Sequence, residues 1–284
     1  MNTRRIIARL DIKGDNLVKG VHLEGLRVLG KPWDFARYYY ESGVDELFYQ
    51  DVVASLYGRN CLKEIITKTA KEIFIPLTVG GGIRTIADIS DVLRAGADKV
   101  SLNTIALKDP KLIEDAVKIY GSSTIVVAIE VIKQDNEKYL AFTDNGREYT
   151  GVDAIEWARK VEELGAGEVI ITSVDRDGTG LGFDLELIRL ISKEVSIPVI
   201  VHGGALSHIH ILDAFNIEGV DAVAIASMIH YGYHNNKAVV DQYSHEDVGN
   251  IEFLRKGIKY KGFGAESIRF VKDRLIDNGI NCRV

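Results

Sequence analysis

The stretch Ile75-Pro76-Leu77-Thr78-Val79-Gly80-Gly81-Gly82-Ile83-Arg84 is written a second time 122 positions later, as Ile197-Pro198-Val199-Ile200-Val201-His202-Gly203-Gly204-Ala205. An apolar run ending in glycines reads as a buried strand that stops at a loop where backbone comes close to something. The echo extends further. Gly43-Val44-Asp45-Glu46-Leu47-Phe48 returns as Gly165-Ala166-Gly167-Glu168-Val169-Ile170, and Gly96-Ala97-Asp98-Lys99-Val100-Ser101 returns as Gly219-Val220-Asp221-Ala222-Val223-Ala224, slipped by one. Solenoid units run to about 20–50 residues, so this period is too long for one. It reads as a half-domain duplicated and fused, and what one half binds the other half is expected to bind as well.

Eight short apolar runs fill the chain: Ile6–Ile12, Glu46–Tyr49, Pro76–Val79, Lys99–Leu102, Thr124–Ile129, Glu168–Thr172, Pro198–Val201 and Ala222–Ile225. Near-continuous Val/Ile-rich runs suit strands buried on both faces. Between them the spacing predicts helices over Pro32–Ser42, Leu62–Ile73, Asp88–Ala95, Asp153–Leu164 and Asp184–Glu194, another opened by Asp109-Pro110, and a last one over Ala265–Asn278. Gly43, Gly96, Gly165 and Gly219 stand where helices commonly stop. Alternating β and α units predict an α/β fold, a single (β/α)8 barrel over residues 1–284, with half-barrels of about 1–120 and 121–284. An open doubly wound sheet is the rival, but it explains the duplication poorly. An extended polar segment, about 231–264, precedes the last helix and carries no chemical motif.

A net charge of −6 with no basic stripe argues against a nucleic-acid partner. Two distant cysteines, Cys61 and Cys282, provide neither a disulfide framework nor zinc spacing. The N-terminus has no signal-peptide core, and no apolar run approaches the ~18 residues of a membrane span. These features lead to the expectation of a cytoplasmic protein with no membrane partner.

Barrel chemistry sits where strands end. The first run ends at Asp11 and the fifth at Glu130, at matched places in the two halves, so the two are expected to face each other as a general acid and base. Alternatively, each caps a helix or pairs with a loop lysine. Asp51 ends the second run, and a dense polar group, Ser173 to Gly180, follows the sixth. Gly80-Gly81-Gly82 and Gly203-Gly204 are each followed one unit later by small polar residues, Ser101-Asn103-Thr104 and Ala226-Ser227. Backbone amides of this kind hold phosphate, and two copies imply a ligand phosphorylated at both ends. Two long loops, Lys13–Lys31 and Lys133–Thr150, occupy matching places as lids or binding loops. The second is expected to be a hairpin turning at Asn145-Gly146. At the strand starts, Arg5, Glu46, Lys99 and Glu168 form two cation–anion sets that on charge alone read as salt bridging plugging the barrel bottom.

Together these residues resemble the cyclase subunit of imidazole glycerol phosphate synthase, the HisF family, over nearly the whole chain apart from much of 231–264. The resemblance implies a subunit that takes ammonia from a HisH-type glutaminase, in a heterodimer, and passes it through the barrel. There it converts a bisphosphorylated ribulosyl formimino-carboxamide nucleotide to imidazole glycerol phosphate and an aminoimidazole carboxamide ribotide, with no metal or organic cofactor. It assigns catalysis to Asp11 and Glu130. It assigns substrate binding to Lys19, Gly82, Asn103, Thr104, Asp177, Gly178, Gly204, Ala226 and Ser227, to which the strand ends Asp51 and Thr172 and the loop glycine Gly203 are added by their place. It makes the ring of Arg5, Glu46, Lys99 and Glu168 an ammonia gate and Asp98 a glutaminase contact. This sequence departs from the family pattern at Glu130 (usually aspartate), Arg9 (usually cysteine) and His202 (usually serine). Because the departures cluster on the substrate side, a HisF-like paralogue feeding ammonia to a third, sugar-amidating enzyme is the alternative. A sugar-phosphate isomerase is a further one, which the charged ring disfavours.

Overall fold

The computed structural model describes residues 3–54, 62–235 and 266–283. Twelve strands are present among them: β1 (Arg5–Lys13), β2 (Asn16–Val21), β3 (Glu24–Gly30), β4 (Glu46–Asp51), β5 (Leu77–Gly80), β6 (Lys99–Leu102), β7 (Ile125–Lys133), β8 (Tyr139–Thr143), β9 (Glu148–Asp153), β10 (Glu168–Ser173), β11 (Val199–His202) and β12 (Val220–Ile225). Eight of these, β1, β4, β5, β6, β7, β10, β11 and β12, pair in parallel in that order, and β12 pairs with β1 to close the barrel. Closure excludes the open sheet and leaves the barrel no free edge.

Strand alternation sorts the barrel residues into two cores. The larger cluster lies between strands and helices. A second, separate cluster of Ile7, Phe48, Val126, Ala128, Ile170, Ile200, Ala222 and Ala224 fills the barrel interior. The barrel is therefore packed through its middle, and its charged side chains gather toward the two ends.

Two expectations are corrected. β1 and β7 do not end at Asp11 and Glu130 but continue to Lys13 and Lys133, because each is prolonged by an antiparallel partner. Residues 13–31 are accordingly no open loop. β2 and β3 form a hairpin against β1, as β8 and β9 do against β7. The second hairpin turns at Asp144, Asn145 and Gly146, all at positive φ (53°, 64° and 75°), as its Asn-Gly pair suggested.

The helices match the expected positions with shifted ends. They run Pro32–Glu41, Lys63–Ala70, Ile86–Ala95, Lys111–Tyr120, Ala154–Glu163, Leu185–Glu194 and Ile268–Asp277. Ile86 rather than Asp88 opens its helix because Thr85 and Asp88 form a reciprocal capping box. Pro110 sits at the N-cap position, one place before the first turn. Helices Thr104–Lys108 and His208–Phe215 are additional. The extended segment begins as helix Ser227–Asn235, and the rest of it lies outside the described residues. The last helix is tied beneath the barrel by Lys272, whose Nζ is 2.7 Å from Asp45 Oδ1, while Asp45 Oδ2 accepts the Ile6 N–H. Among the described residues, no helix is long and apolar enough to cross a membrane.

Candidate active site

At the strand starts, Arg5, Glu46, Lys99 and Glu168 make a closed ring. Arg5 Nη1 lies 2.6 Å from Glu46 Oε1 and 2.8 Å from Glu168 Oε1. Lys99 Nζ lies 3.3 Å from Glu46 Oε2 and 3.0 Å from Glu168 Oε2. Each carboxylate spends one oxygen on each cation. Asp98, beside it, is exposed and accepts the Leu77 N–H at 2.8 Å.

Odd-numbered side chains of β1 point inward, so above Arg5 and Ile7 come Arg9 and Asp11. At the strand ends a buried line of alternating charge crosses the mouth. Arg9 Nη1 donates to Thr172 Oγ1 at 3.0 Å and Arg9 Nε donates to Asp11 Oδ1 at 3.0 Å. Lys19, brought in by β2, lies 3.2 Å from Asp11 Oδ2 and 2.8 Å from Asp177 Oδ2. His202 Nε2 stands 3.3 Å from Asp177 Oδ1, and His202 Nδ1 lies 2.9 Å from the Ala224 carbonyl. Burial by itself would raise the Asp11 pKa, but Arg9 and Lys19 outweigh it and hold Asp11 below the ordinary aspartate value. Burial opposes the Asp177 carboxylate too, and Lys19 and His202 hold that group well below its usual range. Burial and then Arg9 lower the His202 pKa against the pull of Asp177.

Glu130 behaves in the opposite way. It is buried, and desolvation pushes its pKa up to about 7, against the Gly146 N–H, Arg9 and the Asn103 side chain. The Gly146 N–H reaches Glu130 Oε2 at 2.8 Å. One carboxylate of the expected pair is therefore held ionised, and the other sits where it exchanges a proton near neutral pH.

The two glycine loops differ. A cavity of about 250 Å³ lies over the first, lined by Gly81, Gly82, Asp51, Asn103, Thr104 and Glu130 together with Arg84 and Lys108. At the second, Gly178, Gly203, Gly204, Ala226 and Ser227 enclose only about 10 Å³ beside His202 and Asp177. The glycines also have a reason independent of any ligand. Gly81 and Gly204 have φ of 96° and 101°, and a Cβ on either would collide with the backbone carbonyl of Asp51 or Gly182. Asp51 caps the turn after β4, accepting the Val53 and Ala54 N–H groups, and burial raises its pKa against those bonds.

Reading the sequence missed the contacts that tie the β2–β3 tip to the loop after β10 and the clasp between the two hairpins. The His22 N–H reaches the Asp177 carbonyl at 2.9 Å, and His22 Nδ1 lies 2.9 Å from the Val174 carbonyl. Asn145 Nδ2 donates to the Leu23 carbonyl at 2.8 Å. The Asn-Gly signal was visible only as a turn. Arg84 and Lys108 carried no motif. Among the described residues, no group of three or more His, Cys, Asp or Glu side chains is placed to hold a metal ion.

The histidine biosynthesis protein family matches residues 5–235. A Legionella pneumophila protein named imidazole glycerol phosphate synthase subunit HisF is 56% identical over 204 residues, covering 72% of this chain and 96% of that one. The protein of the same name from Bacillus cereus (strain Q1) is 47% identical over 232 residues, 82% of this chain and 92% of its own. With the closed barrel beneath such identity, the chain belongs to the histidine biosynthesis protein family and, within it, to the HisF subunits of imidazole glycerol phosphate synthase.

Proposed function

We propose that this chain is the cyclase subunit of a glutamine amidotransferase, working with a HisH-type glutaminase as a heterodimer joined at the strand-start face near Asp98. Ammonia enters at the ring of Arg5, Glu46, Lys99 and Glu168. It reacts at the opposite end with a bisphosphorylated ribulosyl formimino-carboxamide nucleotide, which is cleaved and cyclised to imidazole glycerol phosphate and an aminoimidazole carboxamide ribotide.

The observation that carries this reading is the contrast between Asp11, clamped by Arg9 and Lys19, and Glu130, pushed up to about 7. Addition of ammonia requires a proton to leave nitrogen, and cleavage requires one to reach the departing nitrogen. Glu130 carries both transfers, because a group whose pKa lies near the working pH gives and takes protons most effectively. Asp11 acts as a fixed negative charge beside the reacting centre. Gly82, Asn103 and Thr104 hold one phosphate, and Gly178, Gly203, Gly204, Ala226 and Ser227 the other, with Lys19 and Asp177 adjusting when it binds. Thr172 borders the ligand from β10.

The test is turnover of the purified protein with the bisphosphorylated nucleotide and excess ammonium salt at pH about 8.5, which needs no glutaminase. Rates of ~1 s⁻¹ or faster are expected, and Glu130→Gln is expected to lower them about 10²-fold. The narrowness of the second glycine site, about 10 Å³, favours a second reading, in which the chain activates a glutaminase and passes ammonia to a third, sugar-amidating enzyme. No turnover from folded protein, with Glu130→Gln harmless in the native pathway, would select it.

A further inference from the structure

Arg9 is 3% exposed, yet neither a phosphate site nor the charged ring uses it. It stands directly above the apolar layer, with its guanidinium carbon 5.9 Å from the centroid of the Phe48 ring. Its Nε holds Asp11 Oδ1 and its Nη1 holds Thr172 Oγ1, each at 3.0 Å, so it bridges β1 and β10 across the bore. Arginine is the one side chain that can do this. Its planar fork serves two acceptors at once, lies over an aromatic ring and stays charged when buried.

We propose that Arg9 is a positioning residue for the reaction above: it spans the barrel floor from Asp11 to Thr172, fixes the Asp11 carboxylate, and supplies a cation that both active carboxylates share. The inference rests on the proposed cyclase reading for its kinetic arm only. Asp11 faces Arg9, Lys19, Asp177 and His202, while Glu130 pairs across the sheet with Thr172, the residue that Arg9 holds on β10, and faces Arg9, Asp144, the Asn103 side chain and the Gly146 N–H. Arg9 acts on both carboxylates in the same direction, favouring the ionised form. Its removal therefore has one sign, toward tighter proton binding at both.

The experiment is a comparison of Arg9→Gln and Arg9→Lys with the parent protein. In the first arm, the side-chain carboxyl of Glu130 is titrated by carbon NMR on glutamate-labelled protein, its resonance identified by its loss in Glu130→Gln. In R9Q the Glu130 midpoint is expected to rise by about one pH unit, the lower end of what a neighbouring opposite charge contributes. R9K, which keeps the charge, is expected to stay near the parent. In the second arm, the acid limb of kcat/KM with ammonium salt and the nucleotide moves to higher pH in R9Q and is restored in R9K. A limb and a titration both unchanged in R9Q would overturn the proposal, since a merely structural arginine lowers kcat without moving either. If the parent protein shows no turnover, the cyclase reading fails while the NMR titration still decides the role of Arg9. Should R9Q not fold, Thr172→Val frees one end of the guanidinium and lets its charge move away from the carboxylates. A Glu130 midpoint moved to higher pH then supports the proposal, and an unmoved midpoint overturns it.

Discussion

Gly146 donates its N–H to Glu130 Oε2, and its neighbour Asn145 donates its side-chain amide to the Leu23 carbonyl, both at 2.8 Å. Two consecutive residues thus join the tip of one hairpin to a buried carboxylate and to the tip of the other hairpin. Asn145→Ala removes the clasp and leaves the Gly146 bond available. Losing about 1 kcal/mol of hydrogen bonding is expected to lower the closed-to-open ratio of the β2–β3 hairpin about fivefold. Hydrogen exchange over residues 16–30 checks it, with faster exchange there and unchanged protection in β4 and β10.

Glu130 links activity and stability to pH in opposite directions. With its pKa pushed up to about 7, the carboxylate form is lost as pH falls below that value. kcat/KM is therefore expected to drop tenfold per unit on the acid side of about 7. For stability, the native state binds the extra proton between the unfolded value of 4.5 and about 7. Stability from this group is thus present below 4.5 and is lost as pH rises through about 7, by up to about 3 kcal/mol. Glu130→Gln carries no such loss, since its amide oxygen still accepts the Gly146 N–H. Urea melts at pH 5 and pH 8 are expected to show the variant gaining on the parent at the higher pH while its turnover falls about 10²-fold.

Arg5→Ala leaves Glu46 and Glu168 sharing Lys99 alone. The cost is expected to be about 2 kcal/mol, below that of a fully buried pair because the Arg5 side chain is 21% exposed. If the ring gates ammonia, the ratio of glutamine-driven to ammonium-driven turnover in the complex with a glutaminase changes as well. Measuring both rates on one preparation separates the two effects.

Lys272→Met tests the anchor of the last helix. It strands the Asp45 carboxylate, which has Lys272 at 2.7 Å and the Ile6 N–H on its other oxygen. A loss of about 3 kcal/mol is expected by denaturant unfolding. Ammonium-driven turnover per folded molecule is expected to be unchanged, because Asp45 precedes β4 at the end of the barrel away from Asp11 and Glu130.

The sequence by itself determined the barrel and the side of it each residue serves. Near-continuous apolar runs such as Glu168–Thr172 specify strands buried on both faces, and the repeat of the glycine loops pairs Gly82 with Gly204. The ring of Arg5, Glu46, Lys99 and Glu168 was legible because each residue stands at the start of an apolar run, and parallel strands bring their starts together. What only the tertiary structure decided was how Asp11 and Glu130 differ. Both follow apolar runs and both are buried, so local sequence treats them as equals. Their proton affinities depend on Lys19 from one hairpin, on Gly146 from the other and on Arg9 between them. In a low-dielectric interior such groups act over a few ångströms of space, whatever their distance along the chain.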